Sequence, residues 1–77
     1  MVNTDRLKGR IREQRKTQSD CAEYLGIQPP TFNQKLNNIR SFGLSETGKL
    51  ADYLDIPDIE FTQFFFSQIN SVAQNKH

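Results

Sequence analysis

Apolar residues along this chain recur three or four positions apart and never alternate over a sustained run. The pattern predicts helices and offers no strand. Glycine, proline and polar clusters cut it into five short segments. The first runs from about Thr4 to Arg15, with a thin stripe of Leu7 and Ile11. Asn3 or Thr4 can cap it, and Asp5 suits the positive end of a helix. In the second, "TQSDCAEYLG", Thr17 is the cap and Asp20 completes a capping box in the place usually held by Glu or Gln. Cys21, Ala22 and Leu25 face inward, and Gly26 supplies a residue tolerant of positive φ at the end.

The third segment, about Pro29 to Asn37, opens on two prolines. The first turn of a helix has backbone amides without intrahelical partners, so a proline loses nothing there, and its fixed φ suits the helix start. Gln28, preceding a proline, is pushed to extended backbone and becomes the cap. The fourth segment is expected to start at a Ser45 cap and run to about Asp55, with Leu50, Tyr53 and Leu54 inward, before Ile56–Pro57 breaks it. The last runs from about Asp58 to Ser71. Along it Phe61, Phe64, Phe65, Ile69 and Val72 share one helical face, and Phe66 falls outside that arc. Residues 73–77 are expected to fray. The prediction is an all-α fold, a compact bundle of about five short helices in a single domain over residues 1–77.

A helix of about eight residues, a break at glycine and a second short helix is the helix-turn-helix arrangement, here over residues 17–37. Ala22 must be small where the second helix crosses, and Ile27 and Phe32 hold that helix in place. Its outward face is then Pro30, Thr31, Gln34 and Asn38, with Lys35 and Asn37 at the edges. Short neutral hydrogen-bonding side chains suit the floor of the DNA major groove, where glutamine pairs with adenine and apolar groups touch a thymine methyl.

Charge sharpens this picture. Residues 1–40 carry eight Lys/Arg against four Asp/Glu, a net +4, whereas residues 41–77 carry two against five, a net −3. A basic half joined to an acidic half suggests a face that meets a polyanion. Lys35 and Arg40 are candidates for phosphate, while the cations of the first helix are expected to lie partly off the DNA. The 77 residues allow one small core and no roomy enzyme pocket. No apolar run approaches the roughly 20 residues of a membrane span. The polar start "MVNTDRLKGR" shows no secretory-signal pattern. The lone Cys21 reads as a buried small hydrophobe, and the lone His77 gives no metal site. No nucleophile–base pair, phosphate loop or metal spacing occurs. The expectation is a non-enzymatic cytoplasmic protein without cofactor, metal, membrane or small-molecule ligand.

"TQSDCAEYLGI" followed by "TFNQKLNN" resembles the Cro and phage-repressor type helix-turn-helix family, over about residues 4 to 56. With "SETGKLADYLDI" and "FFF" it looks closest to small Cro-like or antirepressor regulators of Gram-positive temperate phages. The resemblance implies a lambda-repressor-like DNA-binding domain acting in a lysis–lysogeny switch in a bacterial host cell. It implies that Gln18 contacts a phosphate and braces the recognition helix. It implies base reading by Gln28, Pro30, Thr31 and Gln34, and phosphate contacts from Asn37, Asn38 and Arg40. Three positions depart from the family pattern: Lys16 and Arg10 stand where apolar residues are usual, and Pro29 replaces a common base-contacting residue. An alternative role is an antirepressor that binds a partner repressor. Phe66, Phe65 and Ile69 would then form a protein interface, with a second copy on a palindromic operator or a different regulator as the partner.

Overall fold

The computed structural model describes residues 1–66, and among these every regular element is a helix. They are α1 (Thr4–Glu13), α2 (Gln18–Leu25), α3 (Pro29–Leu36), α4 (Leu44–Tyr53) and α5 (Asp58–Phe65). The expected continuation of the last helix to Ser71, with Ile69 and Val72, and the expected fraying of 73–77 lie outside the described residues. Phe66, at φ −136°, already leaves the helical region.

Helices α1 to α4 close in one way. A single residue takes left-handed backbone: Arg15 (φ 59°), Gly26 (74°), Asn38 (64°) and Asp55 (55°). The next amide then donates to the carbonyl five positions back: Lys16 to Ile11, Ile27 to Ala22, Ile39 to Gln34 and Ile56 to Ala51, all at 2.8–3.0 Å. This is the Schellman arrangement, which satisfies the carbonyls a helix end leaves free. Gly26 escapes the cost, of order 1–2 kcal/mol, that a Cβ meets in this conformation, and Asn38 and Asp55 are residue types that tolerate it better than Arg15. Because Arg15 adopts it, α1 ends at Glu13, two residues short of the expected boundary.

The helix starts also follow local chemistry. Asn3 Oδ1 accepts the Arg6 amide at 3.1 Å. Thr17 and Asp20 form the reciprocal capping box, at 3.0 and 2.8 Å. Gln28 is extended (φ −74°, ψ 146°) ahead of Pro29 and Pro30, and its side chain makes no capping bond. The fourth helix corrects the sequence reading. Its cap is Gly43, and Ser45 lies inside the helix. Glu46 Oε1 accepts the Gly43 amide at 2.8 Å, so the carboxylate half of a capping box is present without a hydroxyl partner.

One hydrophobic cluster joins all five helices, with Phe32 and Leu36 fully buried in it beside Leu7, Cys21, Ala22, Leu50, Leu54 and Phe65. An edge-to-face run, Phe32 to Phe42 at 5.8 Å and Phe42 to Phe65 at 6.5 Å, ties α3 to α5. The N-terminal residues close the far side: the Asn3 amide donates to the Phe64 carbonyl at 2.7 Å. Two cations stand where apolar residues were expected, and each has a structural use. Arg10 Nε donates to the Leu54 carbonyl at 2.9 Å, and its Nη2 donates to that of Asp55, closing the end of α4. Lys16 Nζ lies 4.7 Å from the centre of the Tyr53 ring, which stacks on Tyr24 at 4.3 Å. Tyr53 is half-buried: it packs against the core cluster and carries this stack at the surface.

Candidate nucleic-acid interface

With Phe32 and Leu36 inward, α3 turns Pro30, Asn33 and Asn37 outward beside the preceding Gln28, and all four are exposed. Thr31 and Gln34 are half-buried at the flanks of this face. The side chains of Gln28, Thr31 and Gln34 make no hydrogen bond with other described residues, so their donors and acceptors remain free. Gly26 and the extended Gln28 set the three-residue turn 26–28 that leads from α2 into this face.

Asn33, which the sequence reading passed over, links the two helices. Its Nδ2 donates to Gln18 Oε1 at 3.2 Å. The bracing expected of Gln18 has this geometry, and it leaves Gln18 Nε2 free to donate elsewhere. Position 33 is one helical turn from Pro29 and Asn37 on a polar side of α3, a placement the sequence pattern contained.

The other expected phosphate residues divide. Arg40 is exposed and enters no ion pair among the described residues. Asn37 Nδ2 donates to the Asn33 carbonyl at 2.9 Å, which keeps the side chain on its own helix. Lys35 Nζ pairs with Glu46 Oε1 at 2.6 Å, with both side chains largely covered. Asn38 is clamped to the N-terminus: its Oδ1 accepts the Val2 amide at 2.9 Å, and its Nδ2 donates to the Val2 carbonyl at 3.0 Å. Thr4 Oγ1 donates to the Leu36 carbonyl at 2.7 Å and completes that junction. Charge put Lys35 on phosphate and the family resemblance implied the same of Asn38, but in the free protein their polar atoms hold the fold together.

Glu46 accepts two hydrogen bonds, and its acidity follows. Burial raises its pKa. The Lys35 hydrogen bond, the Gly43 amide and the nearby positive charges of Lys35 and Lys49 outweigh that, so the net shift is below the ordinary 4.5. Cys21 is fully buried. Burial, assisted by the Asp20 charge and opposed by Lys16, pushes its thiol up to about 11, which keeps it neutral and a poor nucleophile.

On the side of the α3–α4 junction, apolar residues including Val2, Phe42, Leu44 and Phe66 and polar ones including Lys35 and Arg40 line a cleft of about 320 Å³. Of the expected interface residues, Phe65 is 1% exposed and belongs to the core, so it cannot serve as an exposed anchor. Phe66 is half-buried, with its ring 5.9 Å from that of Phe61. Ile69 lies outside the described residues. Among the described residues no cluster of three or more His, Cys, Asp or Glu could hold a metal ion, and no helix is long and apolar enough to cross a membrane. No protein-family model matches the chain, and neither a curated protein nor a solved structure matches it.

Proposed function

We propose that this chain is a sequence-specific DNA-binding transcriptional regulator. In this reading α2 and α3 act as a helix-turn-helix, and residues 28–37 enter the major groove of operator DNA. The observation that carries it is the polar face of α3: anchored from behind by Phe32 and Leu36, braced by the Gln18–Asn33 hydrogen bond, and unused by the fold at Gln28, Thr31 and Gln34. Gln34, Thr31 and Gln28 offer amide and hydroxyl groups to base edges, and Pro30 offers an apolar surface to a thymine methyl. Gln18 Nε2 and Arg40 hold phosphates. Lys35 and Asn38 support α3 rather than touch DNA. The resemblance to Cro-type proteins points to a phage lysis–lysogeny switch in the cytoplasm of a bacterial host, with control by concentration and competition in place of an effector ligand.

Selection of duplexes from a randomised pool by the purified chain tests this reading. A defined sequence should be enriched, and Gln34→Ala and Thr31→Ala should each weaken binding to it by about 1–3 kcal/mol per lost base contact, with the circular dichroism unchanged. Enrichment of no sequence, or full affinity in both variants, would overturn it. A second reading, a module that binds a partner repressor, is favoured by this partly apolar cleft and by the exposure of Leu44 (80%) beside it. In that case Phe66→Ala abolishes activity while operator affinity survives the α3 substitutions.

A further inference from the structure

The cations of α1 do not act as one group. Arg6 lies over the Phe64 ring at 5.7 Å, and Arg10 is turned to the end of α4. Lys8 and Arg12, four residues apart and so on one helical face, look the other way. They line a shallow groove of about 260 Å³ together with Ile11, Lys16, Thr17 and Gln18. The left-handed Arg15 ends α1 and brings Lys16 round as the third cation beside the start of α2.

Resting on the DNA-reading proposal, we infer that Lys8, Arg12 and Lys16 form a binding site for phosphodiester oxygens, gripping the DNA backbone that flanks the groove read by α3. None of the three has a carboxylate within ion-pair distance among the described residues. Of the nearby acids, Glu13 pairs with Arg10 at 3.2 Å, Asp20 accepts the Thr17 amide at 2.8 Å, and Asp5, one turn before Lys8, lies beyond ion-pair distance of it. Three positive groups around one groove repel one another, and a polyanion relieves that repulsion. Arg12 offers a planar fork of donors, and the lysines offer mobile point charges. Lys16 rests on Tyr53 in the free protein, one residue before the Thr17 cap of α2. Gln18 is also the groove's link to recognition, because it lines the groove and holds Asn33 of α3. A backbone seated against α1 is thereby registered to the face of α3. The sequence reading expected the cations of α1 to lie partly off the DNA; Arg6 and Arg10 are turned away from the groove that Lys8 and Arg12 line.

The experiment is a salt series on the full chain with the duplex enriched from the random pool. Each lost phosphate contact lowers the slope of log affinity against log salt by about 0.9. Lys8→Gln with Arg12→Gln should lower it by about 2 and leave the ranking of operator variants unchanged. Arg6→Gln, on the opposite side of α1, should leave the slope as it was. The inference is overturned if the double variant keeps the wild-type slope, or if Arg6→Gln lowers it equally, which would signify net charge alone. A chain that binds the duplex with an unaltered slope refutes this site and leaves the reading by α3 standing, whereas a chain that enriches no duplex refutes both.

Discussion

The two ends of α3 are built by opposite means. At the start, order comes from the chain itself: Gln28 is extended, Pro29 and Pro30 fix φ, and no side chain caps the helix. At the end, order comes from elsewhere in the molecule: Asn38 binds Val2, Thr4 binds the Leu36 carbonyl, and Lys35 binds Glu46. An end that organises itself leaves its polar side chains free for a partner. An end that is held by distant residues has spent them. The comparison explains why the proposed contact surface is concentrated at residues 28–34 and on the α2 side, rather than spread along the whole helix.

The largest effect expected from breaking this contrast is at Asn38. Asn38→Ala removes both hydrogen bonds to Val2 and a side chain suited to left-handed backbone. The loss should be about 2–3 kcal/mol, measurable by urea denaturation. Asn33→Ala loses only one exposed hydrogen bond, to Gln18, and should cost less, about 0.5–1 kcal/mol. If the two variants prove equally stable, the contrast is wrong.

The Lys35–Glu46 pair comes next, at about 1 kcal/mol for Lys35→Met. It also carries a pH signature. The Glu46 carboxyl titrates below its ordinary 4.5 in the folded protein. Its contribution is therefore complete above that value and fades as pH falls through the lower folded one. Thermal unfolding of Glu46→Gln should show a flatter decline in that acid range than the parent chain. A parallel decline would mean that the pair contributes nothing.

The smallest effect belongs to the proline end. Pro30→Ala should lower stability by about 0.4–1 kcal/mol, because it acts through the freedom of the unfolded chain and not through a lost contact. A larger loss would show that the proline ring packs in a way its exposure does not suggest.

The same division governs what could be read from the residues. Features closed within a few positions were legible: the Thr17–Asp20 box, the turn at Gly26, the start at Gln28, and the inward pair Phe32 and Leu36. The Gly43 start of α4 was also local, marked by Glu46 three residues on, but Ser45 is a better-known cap type and drew the boundary to itself. The early end of α1 turns on Arg15 adopting a conformation that arginine seldom takes, which no spacing rule announces. The clamp on Asn38 joins residues 36 positions apart, so its polar side chain read as an available ligand until the N-terminal residues were in place. Lys16 and Arg10 looked like blemishes in an apolar pattern, since a ring face and two helix-end carbonyls are partners only after folding. The outline of the candidate site was thus written locally, and the competition for its side chains was not.

The repeated left-handed closure after α1, α2, α3 and α4 has a last consequence. In the short junctions 26–28 and 54–57, the direction of the next helix is dictated by a fixed count of backbone steps. One inserted residue would swing that helix by about 100° about its axis and carry its apolar stripe away from the interior. Substitution there trades small energies, but a change of length rewrites which side of the helix faces the world.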